Sequence, residues 1–320
     1  MQPRGARAPL RRGRRGAARL ASAASALVAL GCGAGGSAPA AVVASIEPLA
    51  MLLRELAPPG LEVHALLPPG ASPHGFEARP SDLRRVAGAR LLVQIGGHYD
   101  GWAARLAAAA EVRPERLALL ELPGIDALPA ADPHAEPAGA GLDPHLWLDP
   151  VRAAEVIAPA LAAALARVAP EAHAEIGARL AAQQQRLRAL DAELRALFAA
   201  GAAERRGFVA LHDSWRYFAR RYGLRELGAV LGVGAEEPTP RSLAALVRRA
   251  RAQGGAELLI EPQLPAAVAA TLARELEGRT RRVDPLGDPA DPARADYASL
   301  LRWNARAFAA ATAPAARAGT

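Results

Sequence analysis

From residue 41 onward, the sequence alternates short apolar runs with long stretches rich in Ala, Leu and Arg, which limits the fold more than any other feature. This alternation is typical of parallel sheets whose strands are joined by helices. The predicted strands are residues 41–45, 62–67, 90–95, 207–211 and 257–261. The predicted helices include residues 49–56, 80–86, 102–110 and 243–252. The sequence therefore predicts an α/β protein with central, mainly parallel sheets.

Residues 150–200 differ from the rest because they show Leu and Ala at helical spacing and no strand pattern. After a break at Ala169-Pro170, residues 171–200 contain no proline and predict one helix about 45 Å long. That length exceeds the diameter of a small domain. We therefore expect two lobes, residues 41–168 and 203–320, joined by a rigid connecting helix within residues 169–202.

The net charge of +7 does not indicate a nucleic-acid partner, because it is concentrated at the start of the chain. Residues 1–31 hold seven of the 39 basic residues and no acidic one, so 32 basic residues balance 32 acidic ones elsewhere. An Arg-rich start, an apolar stretch at 20–30 and small residues up to 40 are typical of a signal peptide. We therefore expect an exported protein with a leader at residues 1–40.

Two processing sites in the leader remain open. Cys32, the single cysteine, directly follows the apolar stretch and resembles the lipid-attachment cysteine of a bacterial lipoprotein, although Leu30 lies one place closer to it than usual. The alternative is cleavage after Ala38-Pro39-Ala40, which would remove Cys32. The lipid anchor is favoured because an unpaired thiol is a liability in an oxidising compartment. In either case disulfides and thiolate metal sites are excluded.

Three of the seven histidines lie inside dense local motifs. His74 is on a Pro/Gly-rich loop after strand 62–67, His145 lies between two Asp-Pro pairs, and His212 directly follows strand 207–211. Ligands of open α/β sheets bind at the carboxyl ends of strands, where His74 and His212 are expected, and all three imidazoles are candidate ligands of one metal site. Each could instead be a turn or core histidine.

A fourth ligand is needed to close a tetrahedral site, and Asp284, expected at the end of a short apolar strand, is the best candidate. Its alternative reading is a turn-initiating Asp before Pro285. Three imidazoles and one carboxylate suit Zn²⁺, whereas a site richer in carboxylates suits Mn²⁺. Trp147 is expected to wall the site, and a nearby carboxylate to orient His145.

The other four histidines rank lower as ligands: His64, His98, His134 and His173. His134 lies in an Ala/Pro/Gly-rich loop at residues 126–141, where it could help to collect metal. Whether His134 or the strand-end Glu261 contributes to the site is not decided by the sequence.

Four segments together resemble the cluster A-I solute-binding proteins of ABC transporters for zinc and manganese. They are PHGFE at 73–77 with PSD at 80–82, DPHLWLDP at 143–150, HDSWRYF at 212–218 with YGL at 222–224, and DPLG at 284–287. The segments follow one another across almost the whole chain after the leader, so their combination is specific.

This resemblance implies two α/β lobes bridged by a long helix, with the metal held between His74 and His145 of one lobe and His212 and Asp284 of the other. In the family, histidine at the third of these positions is typical of zinc binders, and glutamate of manganese binders. One departure is that residues 131–141 hold only three His, Asp or Glu residues, whereas zinc members often have a long loop rich in them.

The expected function is capture of Zn²⁺ outside the cytoplasmic membrane and delivery to the permease of an ABC importer, by a monomer without enzymatic activity. Mn²⁺ or Fe²⁺ as cargo, and a metal-stabilised adhesin, remain as alternatives. A zinc hydrolase is the weakest alternative, because no His-Glu-x-x-His pattern occurs in the sequence.

Overall fold

The computed structural model describes residues 41–129, 141–199, 206–235, 237–264, 266–276 and 278–313. The predicted leader with Cys32, the loop histidine His134 and most of the low-complexity loop lie outside these residues. Within the described part of the chain, no helix has both the length and the apolar character that crossing a membrane requires.

The first sheet is parallel and has the strand order β2-β1-β3-β4. Its strands are β1 (Ala41–Ala44), β2 (Glu62–Ala65), β3 (Ala89–Gln94) and β4 (Glu115–Ala118). The helices α1 (Glu47–Leu56), α2 (Pro80–Ala87) and α3 (Gly101–Ala109) alternate with them. The central strands β1 and β3 are apolar because helices cover both of their faces, as is usual in parallel sheets. Edge strand β4 was not predicted, since charged residues occupy half of it.

The second sheet is also parallel and has the order β6-β5-β7-β8. Its strands are β5 (Phe208–His212), β6 (Glu226–Leu231), β7 (Leu258–Ile260) and β8 (Thr280–Arg282). The helices α7 (Arg216–Tyr222), α8 (Pro240–Ala252) and α9 (Ala266–Glu275) connect them. The sequence pattern did not predict β6. It was also wrong to expect an apolar strand before Asp284, because β8 contains one threonine and two arginines.

Between the sheets the chain is helical, as predicted. It forms α4 (Pro150–Arg152), a π-helical turn (Ala153–Ile157), α5 (Ala158–Val168) and α6 (His173–Ala199). The 27-residue helix α6 is about 40 Å long. It is anchored to the first lobe by the buried Gln183, whose Nε2 donates to the carbonyl of Leu52 at 2.9 Å.

The last helix, α10 (Tyr297–Ala311), returns from the second sheet to pack against α6 and α1. Its apolar residues, including Leu300, Leu301 and Phe308, belong to one continuous core shared with the first sheet and with α6. A smaller core lies under α8 and α9. The chain after α6 is thus packed against the first lobe over a large apolar contact.

Hydrogen bonds also join the two halves. Trp147 Nε1 donates to the carbonyl of Pro285 at 2.8 Å, and the guanidinium of Arg221 binds both carboxylate oxygens of Asp149 at 2.8 and 3.0 Å. The hydroxyl of Tyr217 accepts from the backbone N–H of Leu128. These contacts surround the place where the candidate metal centre lies.

Candidate metal centre

The structure brings His74, His145 and His212 together. One ring nitrogen of each lies within 4.8 Å of the other two, and the ring centroids are 4.9 to 6.1 Å apart. Nitrogen ligands about 2.1 Å from a tetrahedral zinc ion are roughly 3.4 Å from one another. The three imidazoles therefore need only a small inward movement to share one ion.

His74 is positioned by contacts of its loop with Trp102 of α3. Trp102 Nε1 donates to the carbonyl of Pro73 at 3.1 Å, and its ring packs on Phe76 with centroids 4.6 Å apart. These two contacts fix the loop on both sides of His74. Burial, together with the two neighbouring histidines, lowers the pKa of His74 to about 2, so its imidazole is neutral and able to bind a metal.

His145 is oriented by Asp143. Oδ1 of Asp143 accepts from the backbone N–H of His145 at 3.0 Å and lies 2.9 Å from its Nδ1. Burial holds the pKa of His145 well below its usual value and raises the pKa of Asp143 to about 6. With Nδ1 facing the carboxylate, Nε2 is the nitrogen left to bind a metal. Trp147 lies beside the ring, as expected, with centroids 5.4 Å apart.

His212 is the last residue of β5 and lies between a carboxylate and a carbonyl. Its Nδ1 is 3.4 Å from Oε2 of Glu261, and its Nε2 is 3.0 Å from the carbonyl oxygen of Val233. Burial lowers the pKa of His212, but the charge of Glu261 and the hydrogen bonds outweigh burial, so the net shift is upward. Glu261 is held in turn by Trp215 Nε1 at 2.9 Å and by the hydroxyl of Ser214.

The donor atoms of the site suit a metal ion. The three rings line a cavity of about 10 Å³, roughly the space of one small ion. Ten buried side-chain atoms of the described residues have no hydrogen-bond partner, and two of them, His74 Nε2 and Gln263 Oε1, belong to residues that line the cavity. A bound ion would supply His74 Nε2 with the partner that buried polar atoms normally have. Neutral imidazoles are the ligands that Zn²⁺ prefers.

Asp284 is not within the three-histidine group. Its carboxylate accepts from Gln263 Nε2 and from the backbone N–H of Leu286, at 2.8 and 3.0 Å, and pairs with Arg294. Pro285, Leu286 and Gln263 nevertheless line the cavity, so the carboxylate lies directly behind the wall.

Two further residues lie near the rings: the sequence left the role of Glu261 open and did not single out Tyr99. Glu261 contacts His212, and Tyr99 packs edge-on against His74 and His145, with centroids 5.1 and 5.5 Å apart. His98, which follows the Gly96-Gly97 turn, is exposed. The next residue, Tyr99, is the one that contacts the site. His64 and His173 also lie outside the cluster, as expected.

The chain is similar to known proteins over most of its length. Residues 42–311 match the family model described as zinc-uptake complex component A, periplasmic. The chain belongs to this family. Its members include the "High-affinity zinc uptake system protein ZnuA" of Paracoccus denitrificans, 31% identical over 281 residues, which cover 76% of this chain and 83% of that protein. The protein of the same name from Haemophilus ducreyi is 28% identical, with 83% and 91% covered.

Solved structures show the same fold. A crystal structure of ZnuA superposes with a TM-score of 0.74 at 27% identity, covering 86% of this chain and all of that one. The periplasmic zinc-binding protein TroA of Treponema pallidum gives 0.75 at 23% identity, covering 86% and 99%, which supports the fold alone. The resemblance and the two-sheet α/β architecture predicted from the sequence are therefore confirmed. The family consists of solute-binding proteins and is not a known class of enzyme.

Proposed function

We propose that this protein captures Zn²⁺ outside the cytoplasmic membrane and delivers it to the permease of an ABC importer. The observation that carries the proposal is the cluster of three imidazoles, two buried and one partly exposed, around an ion-sized cavity. The relatives named as high-affinity zinc uptake proteins align with this chain over 83% and 91% of their own lengths, which supports the proposal.

The proposed ligands are His74, His145, His212 and Asp284. For Asp284 to become the fourth ligand, its carboxylate must exchange the hydrogen bond from Gln263 and part of the Arg294 pair for the metal. An ion with two positive charges can compensate for that loss in a buried site. The resulting N₃O set would be closed and tetrahedral.

A closed site favours transport over catalysis. A catalytic zinc keeps one position open for water and needs room for a substrate next to it. The cavity at the three rings holds about 10 Å³ and is walled by Tyr99, Leu286 and other bulky side chains. We therefore propose that the protein is not an enzyme.

The ligands come from two lobes, for which we propose the bounds 41–168 and 203–320, with the connecting helix in 169–202. His74 and His145 belong to the first lobe, and His212 and Asp284 to the second. Metal binding and lobe packing are then one equilibrium, which lets the permease distinguish loaded from empty protein.

We further propose that the protein is a monomer and is exported. It would be either lipid-anchored through Cys32 or released by cleavage after Ala40.

The deciding experiment is the zinc content and affinity of the purified mature protein beside His212→Ala, with His64→Ala as the matched control. His64 is half-exposed on β2, outside the site. One tightly bound Zn²⁺ in the parent and in His64→Ala, and strong weakening in His212→Ala, are expected. A preference for Mn²⁺ or Fe²⁺ would change the cargo, and failure to bind any metal would refute the proposal.

Deleting the gene tests transport itself. A growth defect in zinc-poor medium that added zinc rescues is expected of an importer component. Normal growth under the same conditions would favour the adhesin alternative, in which the metal only stabilises the fold.

A further inference from the structure

A second, larger space meets the histidine cavity. It is a cleft of about 570 Å³ between the loop before α2 and the turn after β6, lined by Ser72, His74, Gly75, Glu77, Arg79 and Ala235 among others. Several of these residues, including Gly75 and Glu77, are exposed, so the cleft is open to solvent. The small cavity at the three rings is lined largely by buried residues.

The two spaces share a short wall. Among the described residues that line either space, Ser72 and His74 are the two that line both. His145 and His212 do not line the cleft, and they are 1% and 3% exposed. His74 is the one imidazole of the three that is partly exposed.

Most of the other sides of the cavity are closed by buried groups, and Gln263 and Leu264 are the lining residues on those sides that are partly exposed. Trp147 and Ser214 are fully buried next to His145 and His212, and Tyr99 is 5% exposed. Glu261 is fixed by two hydrogen bonds behind His212. An ion cannot cross the buried sides without disturbing a close-packed core, whereas Ser72 and His74 border both the cavity and the open cleft.

We propose that the metal enters and leaves through this cleft, between Ser72 and His74, with His74 as the ligand that the ion meets first on entry and leaves last on exit. The inference rests on the proposed function, and it adds a route and an order of ligand exchange. Because release retraces entry, narrowing the cleft must slow both steps and leave the equilibrium affinity unchanged.

Gly75 offers a way to narrow the cleft without strain. Its φ is not in the left-handed region, and an added Cβ would meet no atom within 4 Å. A leucine there would project into the cleft next to His74. Gly177, exposed on α6, has the same freedom and no contact with the cleft, so Gly177→Leu is the matched control.

The test is stopped-flow measurement of Zn²⁺ association and of release to a chelator, with equilibrium affinity measured separately. In Gly75→Leu both rates are expected to fall roughly tenfold, equivalent to about 1.4 kcal/mol of added barrier. The affinity should stay within about twofold, because both rates change together. Gly177→Leu should behave like the parent.

Ser72→Val is a second variant, which narrows the passage at the residue shared by cleft and cavity. It should also slow both zinc association and zinc release. Parental rates in both Gly75→Leu and Ser72→Val would overturn the route. Faster release with weakened affinity would also overturn it, since Gly75 would then act on the ligands themselves. A parent protein that binds no zinc would refute the proposed function, which is a different result from unchanged rates in a protein that binds.

Discussion

Oδ1 of Asp143 lies 2.9 Å from Nδ1 of His145, and both side chains are almost completely buried. The same oxygen also accepts from the backbone N–H of His145, so the ring and the chain are oriented by one carboxylate. An acceptor of this kind fixes the tautomer of a metal-binding histidine and makes the other nitrogen a stronger ligand. Asp143 is therefore expected to support zinc binding without touching the ion.

Asp143→Asn should weaken zinc affinity by about 10- to 100-fold, the usual effect of losing a partner of a metal-binding histidine. The amide keeps the shape and one acceptor, so the fold should persist. Asp126→Asn makes the same chemical change at an almost fully exposed side chain and should bind zinc like the parent. The measurement is competition with a chelator of known affinity. Equal affinity in Asp143→Asn and the parent would contradict the positioning role.

Zinc affinity should depend on pH mainly through His212. Burial keeps His74 and His145 neutral because it lowers their pKa values, to about 2 for His74, whereas the pKa of His212 is raised. As the pH falls through the raised value, His212 takes up a proton that the metal must displace. We expect release of about one proton per zinc bound below about pH 6.5, the ordinary pKa of a histidine, because a raised pKa keeps His212 protonated there. Calorimetry in buffers of different ionisation enthalpy counts these protons, and a count of three would refute this assignment.

The same shifts affect the metal-free fold. The lowered pKa values of His74 and His145 favour proton uptake by the unfolded chain, so their effect destabilises the fold as the pH falls below about 6.5. The raised pKa of His212 acts oppositely: it stabilises the fold below that pH, and this contribution is lost as the pH rises through the raised value. The raised pKa values of Asp143, to about 6, and of Glu226, to about 8, act in the same direction as that of His212, because the folded protein then binds protons more readily than the unfolded chain. Two groups with lowered pKa values thus oppose three with raised ones, and we expect only a small net change in the free energy of unfolding between pH 7.5 and 5.5. Denaturant titrations of metal-free protein at pH 7.5 and 5.5, about one pH unit on either side of the reference value, measure it.

The proposed fourth ligand can be tested by comparing two carboxylates. Asp284→Asn should weaken zinc binding by about 10- to 100-fold if Asp284 leaves Arg294 to join the metal, and Glu261→Gln should weaken it less. Glutamine can still accept from Trp215 and Ser214, which limits the disturbance. Asp288→Asn, in the same loop as Asp284, is the control. A larger loss in Glu261→Gln than in Asp284→Asn would assign the fourth position to Glu261.

A strand or helix can be predicted from the sequence when residues close together in the chain determine it. The continuous apolar runs of β1, β3 and β5 were recognisable because strands buried on both faces need them. The edge strands β4 and β6 were not predicted, and β8 was wrongly expected to be apolar. Charged residues are tolerated at a sheet edge because they can face solvent or pair across the sheet, as Arg281 does with Glu257. The connecting helix was predicted to within three residues, because a long segment without proline has few alternatives.

The same distinction holds at the candidate site. The local motifs around His74, His145 and His212 indicated candidate ligands of one site, and the structure brings these three side chains together. The pairing of Asp284 with Arg294 and the contact of Glu261 with His212 depend on how side chains from separate loops pack. The spacing of residues in the sequence does not determine which of these side chains pair. The sequence therefore indicated which histidines meet, but not which groups surround them.

Tyr217 is expected to help hold the two lobes in one arrangement with and without metal. Its hydroxyl accepts from the N–H of Leu128 at 2.8 Å and donates to the carbonyl of Asp143 at 3.0 Å, so one side chain of α7 binds two segments of the first lobe. Tyr217→Phe leaves both backbone groups without this partner, which should lower the free energy of unfolding by about 1–3 kcal/mol. Denaturant unfolding of the metal-free protein measures the loss.

The shared core and the cross-lobe hydrogen bonds also predict that zinc causes only small movements of the lobes. Scattering profiles of the metal-free and zinc-loaded parent protein should nearly superimpose, because a hinge closure would have to break the Arg221–Asp149 and Trp147–Pro285 contacts together. Tyr217→Phe removes the hydrogen bonds of the Tyr217 hydroxyl to the first lobe, so a larger difference between its metal-free and zinc-loaded profiles is expected. A large domain rotation in the parent on zinc binding would contradict the rigid arrangement, and the permease would then recognise a change in overall shape.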